Sequence, residues 1–342
     1  MSGKGQQIKA GLIGYGYWGP NLARNLGENT AFELCAIAEP RTERRELAAR
    51  RHPGAQLFAD SNGLLGRDDL QAIVIATPLT MHHELARTAI DRGKHVLVEK
   101  PLAASRDEAD DLAERADARG VSLMVDHTFV YHGAVRKMQS LIAAGELGDL
   151  LYLDSVRANL GLFQHDSNVI WDLAAHDLAM LDYLVAERPM AVSASGSAVA
   201  GFRHENIAYI SVHYASGFLA HFHVNWLAPM KIRRMLVGGR QRMLFYDDTE
   251  PSEKVRVYDK GVDFDVLDEE TRRQIFVSYR TGDMYAPKLD RREALSRVME
   301  EFAASIAERR APLTGAAAGV RVVALLQAAE ESLRHEGRRV KL

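Results

Sequence analysis

Short apolar runs recur along the first 126 residues of the chain, and segments with the period of an amphipathic helix separate them. Strands that are apolar throughout are buried on both faces, which is typical of a parallel sheet covered by helices. The alternation therefore predicts a doubly wound α/β domain over residues 1–127. The predicted strands are Ile8–Ile13, Leu34–Ala38, Ala72–Ala76, His95–Val98 and Ser122–Val125.

The pattern changes after Asp126. Helical patterns over residues 133–144 and 169–185 are followed by strands in which apolar and polar residues alternate, and two helical patterns close the chain. Consecutive strands joined by tight turns predict an α+β domain with an antiparallel sheet over residues 128–342. A hinge near residue 127 would place a cleft between the two domains, where ligands commonly bind.

Composition excludes several classes of protein. The chain has 342 residues, of which 47% are apolar and 26% are charged, and its net charge is −3. This apolar content excludes a disordered chain, and the balanced charge gives no electrostatic reason to bind nucleic acid. The apolar runs fall far short of the ~18 residues that cross a bilayer. With a polar N-terminus and a single cysteine, Cys35, we expect a cytoplasmic protein with no nucleic-acid or membrane partner.

A glycine-rich turn follows the first predicted strand. Residues 14–19 match G-x-G-x-x-G, whose glycines permit a tight turn, close approach to a pyrophosphate and close helix packing. Glu39 ends the second strand, where a carboxylate binds the ribose hydroxyls of NAD. NAD is therefore preferred, while Arg41, Arg44 and Arg45 leave NADP possible. The candidate cofactor contacts here are Gly14, Gly16, Tyr17, Trp18, Gly19, Glu39 and Arg41.

Two further segments carry residues suited to alcohol oxidation. Glu99, Lys100 and Pro101 end the fifth strand, where a lysine can stabilise a developing alkoxide by hydrogen bonding. Asp172 and His176 lie four residues apart in a helical stretch, so the carboxylate can orient a histidine that accepts the hydroxyl proton. No group of side chains has metal-ligand spacing, and we predict no metal.

The ordered set of these segments resembles the glucose–fructose oxidoreductase / inositol dehydrogenase (Gfo/Idh/MocA) family over essentially the whole chain. The set comprises G-x-G-x-x-G, Thr77-Pro78, Glu-Lys-Pro and D-x-x-x-H. The resemblance implies that Lys100, Asp172 and His176 form the catalytic group and that the Lys100–Pro101 bond is cis. It also implies an open second sheet that packs in a homodimer or homotetramer. Further cofactor contacts that it implies are Thr77, Pro78, His82 and Glu99.

Residues 130–184 look most like sugar dehydrogenases of this family. The resemblance implies an NAD(P)-dependent enzyme that oxidises a secondary hydroxyl, of C3 type, or reduces the matching ketone. Its small-molecule substrate would be a sugar or amino sugar, in a nucleotide sugar or an antibiotic glycoside. Candidate substrate contacts are Tyr131, Arg157, Asn159, Asn225, Tyr285 and Lys288.

Three alternatives stay open. The same scaffold supports a cyclitol dehydrogenase of the inositol type, and a trans-dihydrodiol or biliverdin-type reductase is a further possibility. A regulatory protein that senses the dinucleotide without turnover would need the glycine-rich turn but not the proton-transfer residues. The presence of Lys100, Asp172 and His176 together therefore favours an enzyme over a sensor.

Overall fold

A computed structural model describes residues 7–160, 167–262 and 279–342. Contacts between residues divide the chain into two compact units. The first unit consists of Met1–Tyr131 and Arg292–Ala324, and the second of His132–Arg291 and Leu325–Leu342. In the parts of the chain that are described, no helix combines the length and the apolar character needed to cross a membrane.

The first unit is built on a six-stranded parallel sheet with the strand order β3-β2-β1-β4-β5-β6. This is the order of a Rossmann fold and confirms the predicted doubly wound domain. Each predicted run became a strand within two residues at either end, and only the short β3 was missed. The strands are β1 (Ile8–Ile13), β2 (Phe32–Ala38), β3 (Gln56–Phe58), β4 (Ala72–Ile75), β5 (His95–Glu99) and β6 (Leu123–Asp126).

Helices connect these parallel strands, and local sequence signals set their ends. In the longest connection, the Ser105 hydroxyl accepts a hydrogen bond from the Glu108 amide at 3.2 Å, and Gly120 stops the helix with a left-handed φ of 62°. The helices are α1 (Gly19–Glu28), α2 (Thr42–Arg51), α3 (Ser61–Leu65), α4 (His82–Asp91) and α5 (Arg106–Arg119).

The second unit contains a nine-stranded sheet with the order β16-β13-β12-β11-β7-β10-β9-β8-β17. Neighbouring strands are antiparallel except for β7 and β10, which are parallel. The α+β class is thereby confirmed. Its strands are β7 (Leu150–Ala158), β8 (Pro189–Ser197), β9 (Ile207–Tyr214), β10 (Leu219–Asn225), β11 (Ile232–Gly239), β12 (Met243–Asp247), β13 (Val255–Tyr258), β16 (Met284–Tyr285) and β17 (Val340–Lys341). Two short strands, β14 (Gly261–Val262) and β15 (Tyr279–Arg280), pair separately.

One face of this large sheet is buried. In β9 and β10, the paired residues Ile210 and Phe222 are both buried, whereas Tyr209 on the other face is exposed. The period-2 alternation seen in the sequence thus corresponds to a sheet with one covered face. The helices α6 (Gly133–Ala143) and α7 (Ala175–Leu184) belong to the same unit.

The C-terminal region differs from the predicted division, which assigned everything after residue 127 to the second domain. Helix α8 (Ala294–Glu308) and the start of α9 (Ala316–Arg334) belong to the first unit. The Phe302 ring stacks on Phe32 with centroids 5.8 Å apart, and the Ser305 hydroxyl lies 2.9 Å from that of Ser122. The apolar face of α8 is buried in the Rossmann unit, a contact between distant parts of the chain that periodicity does not reveal.

Candidate active site

Two positions of the turn between β1 and α1 accept only glycine. Gly14 has a φ of 96°, and a Cβ atom there would lie 2.3 Å from the Ala76 carbonyl oxygen. A Cβ atom on Gly19 would lie 2.3 Å from the carbonyl oxygen of Gly14. The backbone therefore holds a tight, open turn at the N-terminus of α1, where amide groups can bind a phosphate. Tyr17 in this turn is 79% exposed.

Glu39 lies at the carboxyl end of β2 but is only 1% exposed. Its carboxylate accepts hydrogen bonds from the Tyr15 amide at 2.8 Å, the Arg41 amide at 3.0 Å and Arg41 Nε at 2.8 Å. Burial opposes the charge, but hydrogen bonds from Arg41 and Tyr15 outweigh it and lower the pKa of Glu39. The half-exposed member of the pair is Arg41, whose guanidinium lies beside Gly16.

Lys100 follows β5 in a turn that is fixed from two sides. Its amide donates to Glu99 Oε2 at 3.1 Å, and the Lys100–Pro101 bond is cis, as the resemblance implies. His82 is buried, with Nδ1 2.8 Å from the Pro101 carbonyl oxygen and Nε2 3.0 Å from that of Thr77. Both His82 nitrogens thus contact backbone, so this side chain joins the loops after β4 and β5, and its contact with the cofactor stays a prediction.

Several titratable groups surround Lys100 in the Rossmann unit. Burial lowers the pKa of His127 to about 3, and the Lys100 charge adds to this effect. Burial also lowers the pKa of His82, again with a contribution from Lys100. Glu99 and Asp126 are two further titratable groups on which the charge of Lys100 acts. His127 and Asp126 were missed in the sequence because neither belongs to a recognisable motif, although both follow a predicted strand at the carboxyl edge.

Asp172 and His176 lie in the second unit. Asp172 belongs to a π-helical segment, Ile170–Ala174, and His176 to the first turn of α7. The sequence predicted a continuous helix here, and the π geometry is a departure often found at functional sites. Asp172 Oδ2 accepts a hydrogen bond from Trp226 Nε1 at 3.0 Å. Trp226, just after β10, thus contacts a predicted catalytic residue, and the sequence analysis did not include it among the candidates.

Two candidate substrate contacts lie together in this unit. The Asn159 amide, after β7, donates to the Asn225 carbonyl oxygen at the end of β10 at 3.0 Å. The Asn225 side chain accepts from the Leu227 amide at 2.7 Å. Asn159 Oδ1 is enclosed and has no hydrogen-bond partner among the residues that the structure describes. Trp226 follows Asn225 directly in the chain and contacts Asp172, so backbone and side-chain contacts link Asn159, Asn225, Trp226 and Asp172, which form the Asn159 cluster.

Two other candidates have structural partners. Arg157 is 2% exposed, and its guanidinium binds the Asp177 carboxylate at 2.7–3.1 Å. Tyr131 is buried, and its hydroxyl lies 3.0 Å from that of Thr314. Both polar groups thus bind other protein groups, and their role as substrate contacts stays a prediction.

Tyr285 and Lys288 lie at the far edge of the large sheet. The Tyr285 hydroxyl donates to Glu146 at 3.1 Å, and Lys288 is exposed. Strand β16, which holds Tyr285, is four strands from β7, about 19 Å at the usual strand spacing. The structure therefore does not bring these two residues to the Asn159 cluster. Residues 161–166, within the stretch that resembles sugar dehydrogenases, lie outside the described residues.

Removing Asp177 should destabilise the protein without involving the site. An Asp177→Ala variant leaves the Arg157 guanidinium buried without this carboxylate, and breaking such a pair costs about 3–5 kcal/mol. Denaturant unfolding measures the loss. Glu28→Ala, which removes an exposed partner of Arg24, is the matched control and should cost at most about 1 kcal/mol. Equal losses in the two variants would contradict the structural role of Arg157.

The residues present fit a dinucleotide. The turn over residues 14–19 forms a glycine cradle, which a Cβ atom at position 14 or 19 would fill. Helix α1 begins at this turn. The Thr77 hydroxyl oxygen, in the loop after β4, is enclosed and has no hydrogen-bond partner within the described chain. Across residues 7–160, 167–262 and 279–342, no group of three or more His, Cys, Asp or Glu side chains could hold a metal ion.

Comparison with protein families agrees with this geometry. Residues 8–127 match the model of the oxidoreductase family with an NAD-binding Rossmann fold, GFO_IDH_MocA. Residues 135–245 match the GFO/IDH/MocA C-terminal domain. The chain therefore belongs to the Gfo/Idh/MocA family, and its first unit is an NAD-binding Rossmann domain.

Individual relatives add detail. The solved structure of UDP-N-acetylglucosamine 3-dehydrogenase GnnA from Acidithiobacillus ferrooxidans is 26% identical, with a TM-score of 0.81 over 96% of this chain and 98% of that one. A dTDP-3,4-didehydro-2,6-dideoxy-alpha-D-glucose 3-reductase of Actinomadura kijaniata is 35% identical over 33% of this chain and 37% of its own. A scyllo-inositol 2-dehydrogenase (NAD(+)) of Bacillus subtilis is 26% identical over 56% of this chain and 57% of its own length. The chain spans about half the length of the curated relatives it matches.

Proposed function

We propose that the protein is an NAD-dependent sugar dehydrogenase that acts on a secondary hydroxyl of C3 type, in a nucleotide sugar or an antibiotic glycoside. The observation that carries the proposal is the fixed position of Lys100, at the carboxyl end of β5 in a Rossmann unit with an intact glycine cradle. The names of the GnnA structure and of the dTDP-sugar reductase support a sugar substrate and the C3 position.

The glycine turn and the loop that carries Thr77 would hold the dinucleotide, and bound NAD+ supplies the hydride acceptor. Lys100 donates a hydrogen bond to the reacting oxygen and stabilises its developing negative charge. His176 accepts the hydroxyl proton. Asp172, held by Trp226, orients the imidazole. In ketone reduction the same groups act in reverse, with His176 returning the proton.

Asn159 and Asn225 are the proposed substrate contacts. The enclosed Asn159 Oδ1 is an acceptor that lacks a donor within the described residues, so a hydroxyl or amide N–H of a sugar would satisfy it. An acceptor placed to bind such a donor rejects a substrate that lacks it, because the buried polar group is then left unpaired.

A turnover screen tests this proposal. The purified protein is mixed with NAD or NADP and with nucleotide sugars, aminoglycosides or cyclitols, and NADH or NADPH absorbance is followed. Oxidation of a nucleotide sugar or an aminoglycoside supports the proposal. Turnover of cyclitols alone would favour the second candidate, a cyclitol dehydrogenase, which the scyllo-inositol relative supports. Dinucleotide binding without any turnover would indicate a sensor.

Cofactor choice should depend on the Glu39–Arg41 pair. The ionised Glu39 disfavours a 2′-phosphate, whereas the half-exposed Arg41 partly offsets it, so we expect NAD to bind more tightly than NADP. Glu39→Ala should narrow the ratio of the two dissociation constants about tenfold, or ~1.4 kcal/mol. Arg41→Ala, the matched variant, should widen it. Calorimetric titration measures both ratios, and a wild-type protein that prefers NADP tenfold would contradict the assignment.

The open sheet supports a homodimer or a homotetramer. On its outer face the exposed Tyr209 ring stacks on His223 with centroids 4.6 Å apart, and Leu219 and Tyr152 are also exposed there. Large exposed apolar residues on one face favour association. Light scattering should give a mass of at least twice 38.0 kDa. Tyr209→Lys should shift that mass toward the monomer, and a monomeric wild-type protein would refute the proposal.

A further inference from the structure

Two carboxyl groups lie side by side at the carboxyl edge of the Rossmann sheet. Glu99 ends β5 and Asp126 ends β6, and the two residues are register partners. Asp126 is 1% exposed, and Glu99 Oε1 is enclosed. As register partners on neighbouring parallel strands, the two side chains lie on the same face of the sheet, and each carboxyl group shifts the pKa of the other. An ionised carboxylate has only acceptors, so two ionised groups in this position would repel each other.

The remaining contacts of the pair are with donors. Asp126 accepts from the Thr128 hydroxyl at 2.6 Å and from Trp18 Nε1 at 3.4 Å. Glu99 Oε2 accepts from the Lys100 amide at 3.1 Å. No donor reaches Glu99 Oε1 among the residues that the structure describes. These contacts suit an ionised Asp126 and a Glu99 that carries a proton.

The charges around the pair agree with a single negative charge. Burial raises the pKa of Glu99 well above its ordinary value, and the Asp126 carboxylate adds to the effect. Burial raises the pKa of Asp126 too, less than that of Glu99, and the positive charge of Lys100 lowers the pKa of both carboxyls. His127, beside Asp126, is neutral because its pKa is about 3. Tyr131, which the Asp126 charge reaches, is also neutral because burial raises the pKa of its hydroxyl.

We infer that Glu99 and Asp126 share one proton and act as a positioning unit that ties the glycine turn to the Lys100 turn. One end of the unit is the Trp18 indole, which lies in the glycine turn, and the other end is the Lys100 amide. The shared proton is a property of the resting protein. Only its consequence for turnover rests on the proposed function of Lys100.

Infrared spectroscopy of the ligand-free protein tests the shared proton. The wild type should show the carbonyl stretch of a protonated carboxylic acid at neutral pH, and the band should shift in deuterium oxide. Asp126→Asn and Glu99→Gln should each abolish it, because the remaining carboxylate then accepts from an amide. Asp69→Asn is the control and should keep it, since hydrogen bonding to Arg67 lowers the pKa of Asp69 to about 2. A band that persists in both pair variants overturns the inference.

Rescue by the conservative variant tests the positioning role. With the best substrate from the screen, Asp126→Ala should lower kcat, by up to about 10²-fold if Lys100 shifts by 1 Å. Asp126→Asn should recover most of that loss, because its amide can donate to Glu99 while its oxygen keeps accepting from Trp18 Nε1 and the Thr128 hydroxyl turns to accept. Equal impairment of the two variants overturns the positioning role. If the screen finds no substrate, the proposed function fails while the infrared result still decides the shared proton.

Discussion

Lys100→Ala is expected to lower kcat by about 10²-fold or more, the loss seen when one donor to a developing oxyanion is removed. The lysine stands at the carboxyl end of β5, in a turn that Glu99 and His82 fix. Its ammonium is the cation that this turn offers to a reacting oxygen. The dissociation constant of NAD should change little, because the glycine turn and α1 hold the pyrophosphate. Steady-state kinetics and calorimetric titration measure the two quantities.

Lys9→Ala is the matched control for this variant. Lys9 lies near the start of β1, at the opposite edge of the sheet, and forms an exposed ion pair with Asp69 at 3.5 Å. Its removal should leave kcat unchanged. This result would show that the loss of a lysine far from the site does not by itself lower turnover. An unchanged kcat in Lys100→Ala would refute the proposed role. A parallel loss of NAD affinity would instead assign Lys100 to cofactor binding.

The Rossmann unit was predictable because its signals are local. Apolar strands reveal themselves by composition over a few residues, and a G-x-G-x-x-G turn after β1 is recognised from six consecutive positions. The glycine requirement follows from backbone contacts within that turn, and from the approach of Gly14 to Ala76. The alternation of apolar and polar residues in β9 and β10 likewise depends on positions two residues apart. The α+β class of the second unit could therefore also be predicted from the sequence.

The features that sequence reasoning missed depend on contacts between distant residues. Asp126 pairs with Glu99 through the register of two strands, which no motif contains. Arg157 is a polar residue within β7, and the sequence does not show that its guanidinium is buried in an ion pair with Asp177, which lies 20 positions later. The π geometry around Asp172 adds one residue to a helical turn, and the apolar period does not change enough to show it. Tyr285 is far from the Asn159 cluster because of the order of the strands in the large sheet, which the local sequence pattern does not show.

His176→Ala is expected to lower kcat/KM by roughly 10²–10⁴-fold, the usual span for general-base catalysis. The fall of kcat/KM at low pH, which is the acid limb of the pH profile, should also disappear in this variant. In the wild type, kcat/KM for oxidation should fall as the pH is lowered, because a protonated imidazole cannot accept the hydroxyl proton. Without the imidazole, that protonation no longer controls the rate. Kinetic profiles between about pH 5 and pH 9 bracket the ordinary histidine range and measure both effects.

Asp172 and Trp226 provide graded variants for the same assignment. Asp172→Asn keeps the shape but removes the charge that favours the imidazolium, so the acid limb should move to lower pH while the rate falls. Trp226→Phe removes the indole donor to Asp172 and should have a smaller effect of the same kind. His335→Ala, at an exposed position where Nδ1 contacts the Glu331 carbonyl oxygen, is the control. If His176→Ala kept both its rate and its acid limb, another group, such as Lys100, would accept the proton.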